Sequence, residues 1–351
     1  IQVMKKITYK NVHNQFKLNG YHLNKEDLCR VSYCLIKEGD EFEKSIGDFL
    51  LDWFDEKSYI DLQTSGTTGA PKIIRTNKQT MVNSALATGD FFELSPGDKA
   101  LYCLPTKYIA GKMMLVRSFI LGLDIDFVEP NSHPLTKNET KYDFVAMVPL
   151  QAQNSLAGLK NVKKMIVGGA KMSKSLEKSL LKGKTQVYET YGMTETITHI
   201  AAKKVGENAF SILPNIQISQ NEKNCLVIDA QKISEELIVT NDLVEILNEN
   251  QFVFLGRIDN VVNSGGIKLI PEQIEEKLAN EIHSRFFLGG IPDTILGEKL
   301  VLIIEGEKDD AVELSFDGLD KFEKPKNVFY VAKFMETENG KIKRKEMLES
   351  I

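Results

Sequence analysis

Cysteine is scarce in this sequence, which has four in 351 residues. The four are scattered, and the arrangement of His22, Cys29 and Cys34 has neither the spacing nor the fourth ligand of a structural zinc site. Separated thiols in a chain this long are typical of reduced residues in a cytosolic protein. The cysteine pattern therefore argues against a disulfide framework and indicates no structural zinc.

The sequence also lacks a long apolar run and a large excess of either charge. No uninterrupted apolar segment approaches the roughly 20 residues that a membrane-spanning helix needs. The lysines of IQVMKKITYK are not followed by the apolar segment of a signal peptide. The formal charge of −5 gives no electrostatic reason to expect nucleic acid or an anionic membrane as a partner. We therefore predict a soluble, cytoplasmic protein with no membrane insertion and no nucleic-acid partner.

The sequence does have an average globular composition, 42% hydrophobic and 26% charged. From about residue 60, short apolar runs alternate with amphipathic segments of helical spacing. The predicted strands are YIDLQT, KIIRT, KALYCLP, DIDFVEP, YDFVAMVP and VKKMIVGG, and the predicted helices are QTMVNSALATGDFF, GKMMLVRSFILGL and SKSLEKSLLKG. Such alternation predicts an α/β fold with a parallel or mixed sheet covered on both faces.

The pattern changes after residue 205. The short predicted strands NCLVIDA, ELIVT, LVEIL and FVFLG indicate a β-rich subdomain appended to the α/β body. The segment GRIDNVVNSGGIKLIPEQIEEKL then runs from a strand through a glycine pair into a helix that begins at Pro271. We predict two domains, residues 1–258 and a small α+β domain of residues 259–351.

The stretch TSGTTGAPK, Thr64 to Lys72, concentrates hydroxyls and glycines and ends in a lysine. It could be a solvated turn, or a loop whose hydroxyl and backbone donors hold a polyphosphate. It is not a Walker A sequence, because Lys72 follows Pro71 and leads into a strand, and it lacks the third glycine of a dinucleotide fingerprint. Taken alone, the stretch leaves both interpretations open.

With five further motifs, this stretch resembles the signature of the adenylate-forming superfamily, which includes acyl-CoA synthetases, nonribosomal adenylation domains and luciferase. The other motifs follow in the superfamily's order: VGGA (167–170), YETYGMTET (188–196), TNDLVE (240–245), GRIDNVVNSGGIKLIPEQIE (256–275) and ENGKIKR (338–344). The resemblance implies a large N-terminal domain of mixed sheets and helices with a β-rich subdomain, shortened at its start here. A small, mobile α+β lid domain follows.

The resemblance also implies an enzyme that uses ATP, Mg²⁺ and coenzyme A, first joining an acid to AMP and then forming a thioester. The residues implied to hold the β- and γ-phosphates are Thr64, Ser65, Gly66, Thr67, Thr68, Gly69 and Lys72. Thr194 would donate to the α-phosphate. Glu195 would bind Mg²⁺, which normally takes one or two protein carboxylates beside phosphate oxygens.

The same resemblance implies an adenosine site built from three motifs. The loop of Gly168, Gly169 and Ala170 would lie against adenine, with Tyr191 and Gly192 beside it. Asp242 would accept both ribose hydroxyls, and Arg257 would make a second ribose or phosphate contact.

Lys341 is implied to be the catalytic lysine of the adenylation step, carried on the mobile domain as a long, compact point charge. Asp259 takes the hinge position. Gly265 and Gly266 form the glycine loop that would admit the pantetheine of coenzyme A, because it carries almost no side chain. Arg344, close to Lys341, is predicted to be a surface charge.

The acid is indicated by the segment PTKYIAGKMMLVRSF, which is most similar to the o-succinylbenzoate–CoA ligase family of menaquinone biosynthesis. It keeps the family's Pro105, Gly111 and Arg117 but has Tyr108 where histidine is usual and Ala110 where serine is usual. Arg117 falls in an otherwise apolar helix, where an unpaired guanidinium is costly. It would pair either with a second carboxylate of the acid or with an Asp or Glu of the chain.

Three alternatives stay open at this level. The acid could be another aryl, fatty or amino acid, or the chain could be a nucleotide-binding homologue without turnover. A homodimer is neither required nor excluded by the sequence. His199, just after the central motif YETYGMTET, could line the acid pocket or could simply be packed in the core.

Overall fold

The structure is a computed structural model that describes residues 6–63, 73–135, 139–308, 314–337 and 341–351. The described residues form two compact units. The first unit contains the described chain up to residue 63, then residues 73–217 and Asp229–Ile238; the second contains Ile218–Ile228 and the described residues from Val239 onward. The predicted domain division at residues 258 and 259 stays a prediction.

The first unit alternates strands and helices. Its strands are β1 (Lys17–Leu18), β2 (Tyr21–His22), β3 (Tyr59–Gln63), β4 (Ile73–Asn77), β5 (Lys99–Tyr102), β6 (Asp124–Phe127), β7 (Tyr142–Met147), β8 (Val162–Val167), β9 (Gln186–Gly192), β10 (His199–Lys204) and β11 (Ala209–Ile212). Its helices are α1 (Lys25–Glu38), α2 (Glu41–Phe54), α3 (Lys78–Phe92), α4 (Ile109–Leu121), α5 (Pro149–Asn154) and α6 (Lys174–Leu181).

The main sheet of this unit has the order β11-β10-β9-β8-β7-β5-β6-β1-β2. The strands from β9 to β1 in this order pair in parallel, whereas β10 and β11 continue the sheet antiparallel. β3 and β4 form a separate antiparallel ribbon. The predicted α/β fold with a mixed sheet is confirmed.

Helix α4 is buried on all sides, which its nearly continuous apolar sequence predicts. Its Phe119 ring lies 5.4 Å from the single tryptophan, Trp53 of α2. Gly111 is required near its start, because a Cβ there would lie 2.3 Å from the carbonyl oxygen of Pro105. The close packing of α4 against the end of β5 holds Tyr108 and Arg117 in fixed positions.

The second unit combines a β ribbon with a small α+β body. Its strands are β12 (Gln217–Gln220), β13 (Cys225–Asp229), β14 (Ile238–Asn248), β15 (Gln251–Arg257), β16 (Val262–Ser264), β17 (Ile267–Leu269), β18 (Phe286–Asp293), β19 (Gly297–Glu305) and β20 (Asn327–Val331), and its helices are α7 (Pro271–Leu278) and α8 (Arg344–Glu349). The pairing orders are β12-β13-β14-β15 and β17-β16-β19-β18, with β20 parallel to β19.

The predicted strands ELIVT and LVEIL are one strand, β14, so their separation was wrong. The polar residues Asn241 and Asp242 suggest a turn by composition. They stay in the ladder because Asp242 lies directly opposite Arg257 of β15. None of the described helices is both long and apolar enough to cross a membrane.

Candidate active site

The candidate nucleotide site of the first unit lies where parallel strands end. β8 and β9 are neighbours in parallel, with Val167 opposite Glu189, so the VGGA loop and the central motif come to the same edge. The N–H of Gly168 donates to the carbonyl of Met147 at 3.2 Å. A Cβ at Gly168 would lie 2.5 Å from Oγ1 of Thr190, so a larger residue would have to displace that hydroxyl. Ligands of open parallel sheets bind at this carboxyl edge.

Gly192 ends β9 and lies opposite His199 of β10. A Cβ there would lie 2.4 Å from the carbonyl oxygen of Thr198, so β10 can come this close only to a glycine. Tyr191 is half-buried, with its ring 5.8 Å from the ring of Phe210. The packing of Tyr191 against an aromatic ring restricts the position of its side chain at the end of β9.

A tight turn presents Thr194 and Glu195. Both belong to a 3₁₀ turn, Thr194–Thr196, and Glu195 is exposed while Thr194 is half-buried. The buried Thr196 closes the turn, since its hydroxyl accepts from the N–H of Met193 at 2.9 Å and donates to the carbonyl of Thr198 at 2.7 Å. Ile197 follows with φ +66°, a strained conformation for a β-branched residue. Strain of this kind is commonly retained where it holds a functional side chain.

The donor chemistry of this turn fits Mg²⁺ shared with phosphates. Among the described residues, no group of three or more His, Cys, Asp or Glu side chains could hold a metal ion. Glu195 offers a single exposed carboxylate, and Mg²⁺ characteristically completes such a ligand with phosphate oxygens and water.

The predicted phosphate loop, Thr64 to Lys72, lies outside the described residues, so its seven assigned residues remain predictions. The structure does describe the strands on either side. Gln63 of β3 pairs with Ile73 of β4, which confirms that a strand enters the loop and a strand leaves it.

Arg117 is the most unusual charged residue of the first unit. It is 2% exposed and lies in α4. Its Nη2 donates to Oγ1 of Thr198 at 3.1 Å, but its Nε has no hydrogen-bond partner within the described chain. Burial lowers the pKa of this guanidinium to about 9. No Asp or Glu of the described chain pairs with it, which removes the alternative of a structural ion pair for that part of the protein.

Tyr108 is half-buried at the residue preceding α4. Its N–H donates to the carbonyl of Pro105 at 3.1 Å, and the ring lies 5.5 Å from Nζ of Lys107. Nζ of Lys112 donates to the carbonyl of Thr106 at 2.5 Å. This bond joins helix α4 to the segment that precedes it. The same helix therefore carries both substrate candidates, Tyr108 at its start and Arg117 two turns later.

In the second unit, the predicted ribose residues are cross-strand neighbours. Asp242 is 7% exposed, and its Oδ1 lies 3.6 Å from Nη1 of Arg257. Its N–H donates to Oγ1 of Thr240 at 3.1 Å, and that hydroxyl donates to the carbonyl of Leu226 at 2.9 Å. These bonds hold Asp242 in its strand. The two oxygens of its carboxylate can accept hydrogen bonds from two hydroxyls at once.

Lys341 lies close enough to this pair to interact with it electrostatically. Desolvation lowers the pKa of Lys341, repulsion by Arg257 lowers it further, and attraction to Asp242 opposes both. The segment is pinned by its backbone: the N–H of Thr337 donates to the carbonyl of Lys341 at 2.9 Å, and Glu336 bridges Ile342. Lys341, Arg257 and Asp242 therefore interact electrostatically within the second unit.

Asp259, the predicted hinge residue, lies in the 3₁₀ turn Ile258–Asn260. Its Oδ2 is 3.0 Å from Nη2 of Arg257 and accepts from Nδ2 of Asn241 at 3.1 Å. Arg257 thus faces two carboxylates, Asp242 on one side and Asp259 on the other. The role of Asp259 as a hinge stays a prediction.

Gly265 and Gly266 form the two-residue turn between β16 and β17, with Ser264 opposite Ile267. Their φ values of +59° and +85° are those of a type I′ turn, which explains why both positions are glycine. The N–H of Gly265 donates to the carbonyl of Leu296 at 2.9 Å, so the neighbouring hairpin supports this loop.

The expectation that Arg344 is a surface charge was wrong. Its guanidinium donates to both carboxylate oxygens of Glu275, at 2.7 and 2.9 Å, and Glu275 also accepts from the N–H of Leu288. The pair is largely buried, because the side chain of Glu275 is 8% exposed and that of Arg344 is 24% exposed. The neighbouring lysines made Arg344 look like part of an exposed basic segment. Its partner Glu275 is far away in the sequence, so no local pattern indicates the contact.

Comparison with known proteins agrees with this geometry. Residues 59–223 match the family model of AMP-binding enzymes. The chain is 25% identical over 320 residues to the 2-succinylbenzoate–CoA ligase of Haemophilus influenzae, covering 82% of this chain and 69% of that protein. The O-succinylbenzoate coenzyme A synthetase of Bacillus subtilis, solved with ATP and a magnesium ion, shares the fold at 18% identity, with a TM-score of 0.71 over 82% of this chain and 69% of that one.

A solved structure from Dyadobacter fermentans has the same compact length. It is an acyl-CoA synthetase (AMP-forming)/AMP-acid ligase II-like protein, 33% identical, with 92% of this chain and 97% of that chain covered and a TM-score of 0.63. The motifs, the sheet and this relative agree. The chain therefore belongs to the AMP-binding enzyme family of the adenylate-forming superfamily.

Proposed function

We propose that this protein is an ATP-dependent acid–CoA ligase that converts o-succinylbenzoate to its coenzyme A thioester through an acyl-AMP. The names of its curated relatives in Haemophilus influenzae and other bacteria support the acid. The Bacillus subtilis synthetase, which binds ATP and a magnesium ion in its solved complex, supports those two ligands. Coenzyme A is proposed as the second substrate because these relatives are CoA ligases.

The observation that carries the proposal is the buried guanidinium of Arg117. A charge without a carboxylate partner is costly inside a protein, so it is retained where a ligand supplies the partner. o-Succinylbenzoate has two carboxylates. When its succinyl carboxylate reacts, the ring carboxylate remains as an anion that would pair with Arg117. A fatty acid or a simple benzoate has no second carboxylate to do this.

The proposed first step joins the succinyl carboxylate to the α-phosphorus of ATP and releases pyrophosphate. Because two anions must approach each other, the step needs cations and hydrogen-bond donors. From the first unit, Thr194 would donate to the α-phosphate and Glu195 would hold Mg²⁺, which supplies charge neutralisation when bound. From the second unit, Asp242 and Arg257 would hold the ribose, and Lys341 would stabilise the developing charge.

In the proposed second step, the thiol of coenzyme A attacks the acyl carbonyl carbon, and AMP leaves with the bonding electrons. The turn of Gly265 and Gly266 would allow the pantetheine to approach its backbone closely. Asp259 is held by Arg257 and Asn241, so a change in the conformation of Asp259 would require those two contacts to break.

A matched pair of acids tests the function. o-Succinylbenzoate and 4-oxo-4-phenylbutanoate differ only in the ring carboxylate, so pyrophosphate release with each isolates the partner of Arg117. We expect kcat/KM to be on the order of 10²–10⁴-fold higher for the diacid, as for a site that loses a required polar partner. A wider screen should include benzoate, fatty acids and amino acids. Equal activity with the two matched acids, or activity confined to fatty acids, would overturn the assignment.

A further inference from the structure

Arg117 belongs to a buried chain of polar side chains from three elements. Its Nη2 lies 3.5 Å from Nδ1 of His199 on β10. The other ring nitrogen of His199, Nε2, lies 3.3 Å from Oγ1 of Thr88 on α3. Thr198 lies beside both groups, with its Oγ1 3.4 Å from Nδ1 of His199. Arg117, His199 and Thr88 are 2%, 6% and 0% exposed, so these contacts lie in the protein interior.

The hydrogen bonds indicate which nitrogen of His199 carries the proton. Oγ1 of Thr88 donates its hydrogen to the carbonyl of Ser84 at 2.9 Å, so towards His199 it can only accept. This arrangement favours Nε2 as the protonated nitrogen. Nδ1 is left as an acceptor, and it faces Nη2 of Arg117 and the hydroxyl of Thr198, both of which can donate.

The surroundings keep this imidazole neutral. Burial and the positive charge of Arg117 both lower the pKa of His199 well below its ordinary value. Among the described residues, the groups that face it are Thr88 from α3, Arg117 from α4, the hydroxyl of Thr198 and the edge-on ring of Phe92 at 6.1 Å. None of these is an anion that would stabilise the imidazolium, so Nδ1 remains an acceptor for the guanidinium at neutral pH.

We infer that His199 is a positioning residue: as a neutral imidazole protonated at Nε2, it holds Nη2 of Arg117 and leaves for the acid the Nε–H, which has no partner among the described residues. The identity of that acid rests on the proposed function, whereas the tautomer and the contact do not. The role differs from simple packing, because it requires an acceptor at the position of Nδ1 and cannot be replaced by a group at Nε2.

Two substitutions separate the nitrogens. The side-chain oxygen of asparagine falls near the position of Nδ1, so His199→Asn keeps an acceptor for Arg117. The amide of glutamine reaches the position of Nε2, so His199→Gln keeps the contact with Thr88 and loses the acceptor. We expect His199→Gln to raise the KM for the acid by about tenfold or more, the loss expected for a hydrogen bond to a charged group. His199→Asn should stay within about threefold of the parent, and the KM for ATP should change little in both.

The tautomer is measured without any substrate, in the unmodified protein labelled with ¹⁵N-histidine. The long-range ¹H–¹⁵N spectrum should show His199 protonated at Nε2 and unprotonated at Nδ1 at neutral pH. An Nδ1–H tautomer or an imidazolium would overturn the inference, as would equal KM values for the two variants. If the protein turns over another acid but not o-succinylbenzoate, the proposed function is wrong. The KM values of the two variants for that other acid then test the role of His199. If no acid is turned over, the spectrum alone decides.

Discussion

Removing Glu275 should destabilise the second unit and disturb the segment that carries Lys341. The carboxylate of Glu275 accepts two hydrogen bonds from Arg344 and one from the N–H of Leu288. Arg344 begins α8, three residues after Lys341, so the pair anchors one side of the lysine segment. Glu275→Ala would leave a buried N–H of β18 without its acceptor and would leave the guanidinium with only Glu272, whose Oε1 lies 3.7 Å from Nη1.

The expected loss follows from burial. Breaking a buried ion pair by removing one partner costs roughly 3–5 kcal/mol. The side chain of Arg344 keeps 24% of its exposure and can regain some hydration, so we expect the lower end, about 3 kcal/mol. The control is Glu346→Ala, which breaks the exposed pair with Lys343 and should cost less than about 1 kcal/mol.

The assay is hydrogen exchange of the backbone amides of β18 and β19, which reports the opening free energy of the second unit, together with acid-dependent pyrophosphate release. Glu275→Ala should lose protection and activity together, and Glu346→Ala should keep both. Equal, small effects of the two substitutions would contradict this prediction, because Arg344 would then behave as an ordinary surface charge.

Three further predictions follow from the site. Arg117→Leu should raise the KM for o-succinylbenzoate about 100-fold and spare the KM for ATP, and unchanged kinetics would return this residue to a structural role. Gly192→Ala should cost about 3 kcal/mol of stability because its Cβ would lie 2.4 Å from the carbonyl oxygen of Thr198, and a melting temperature equal to that of the parent would contradict this. The lowered pKa of Lys341 means that its charge is lost at a lower pH than for ordinary lysine. The alkaline fall of kcat/KM for adenylation should therefore begin below the usual lysine range, and a fall only above that range would be inconsistent with it.

The sequence predicted the α/β body of the first unit because local pattern and tertiary structure agree there. The buried helix α4 and the strands β5, β7 and β8 follow from apolar runs whose burial the sheet then satisfies. The glycine pair was expected to lead from a strand into a helix; the helix does begin at Pro271, but the short strand β17 lies between. The motifs at the ends of β8 and β9 meet because parallel neighbours end at one edge.

What the sequence could not predict depends on contacts between distant residues. The single strand β14 continues through Asn241 and Asp242 because Arg257 pairs with Asp242 from the next strand. The ion pair of Arg344 with Glu275 spans 69 positions. The contact of His199 with Arg117 likewise joins residues 82 positions apart, so periodicity gives no signal for it. The phosphate loop rests on its motif alone.

The most direct test of the account separates the two half-reactions of Lys341→Ala. The first measurement is acid-dependent exchange of radiolabelled pyrophosphate into ATP; the second is thioester formation from supplied acyl-AMP and coenzyme A. We predict that the exchange falls by about 10²–10³-fold while thioester formation is largely retained, because the charge of Lys341 is needed only where two anions meet. An equal loss in both half-reactions, or no acid-dependent exchange in the unmodified protein, would contradict the account.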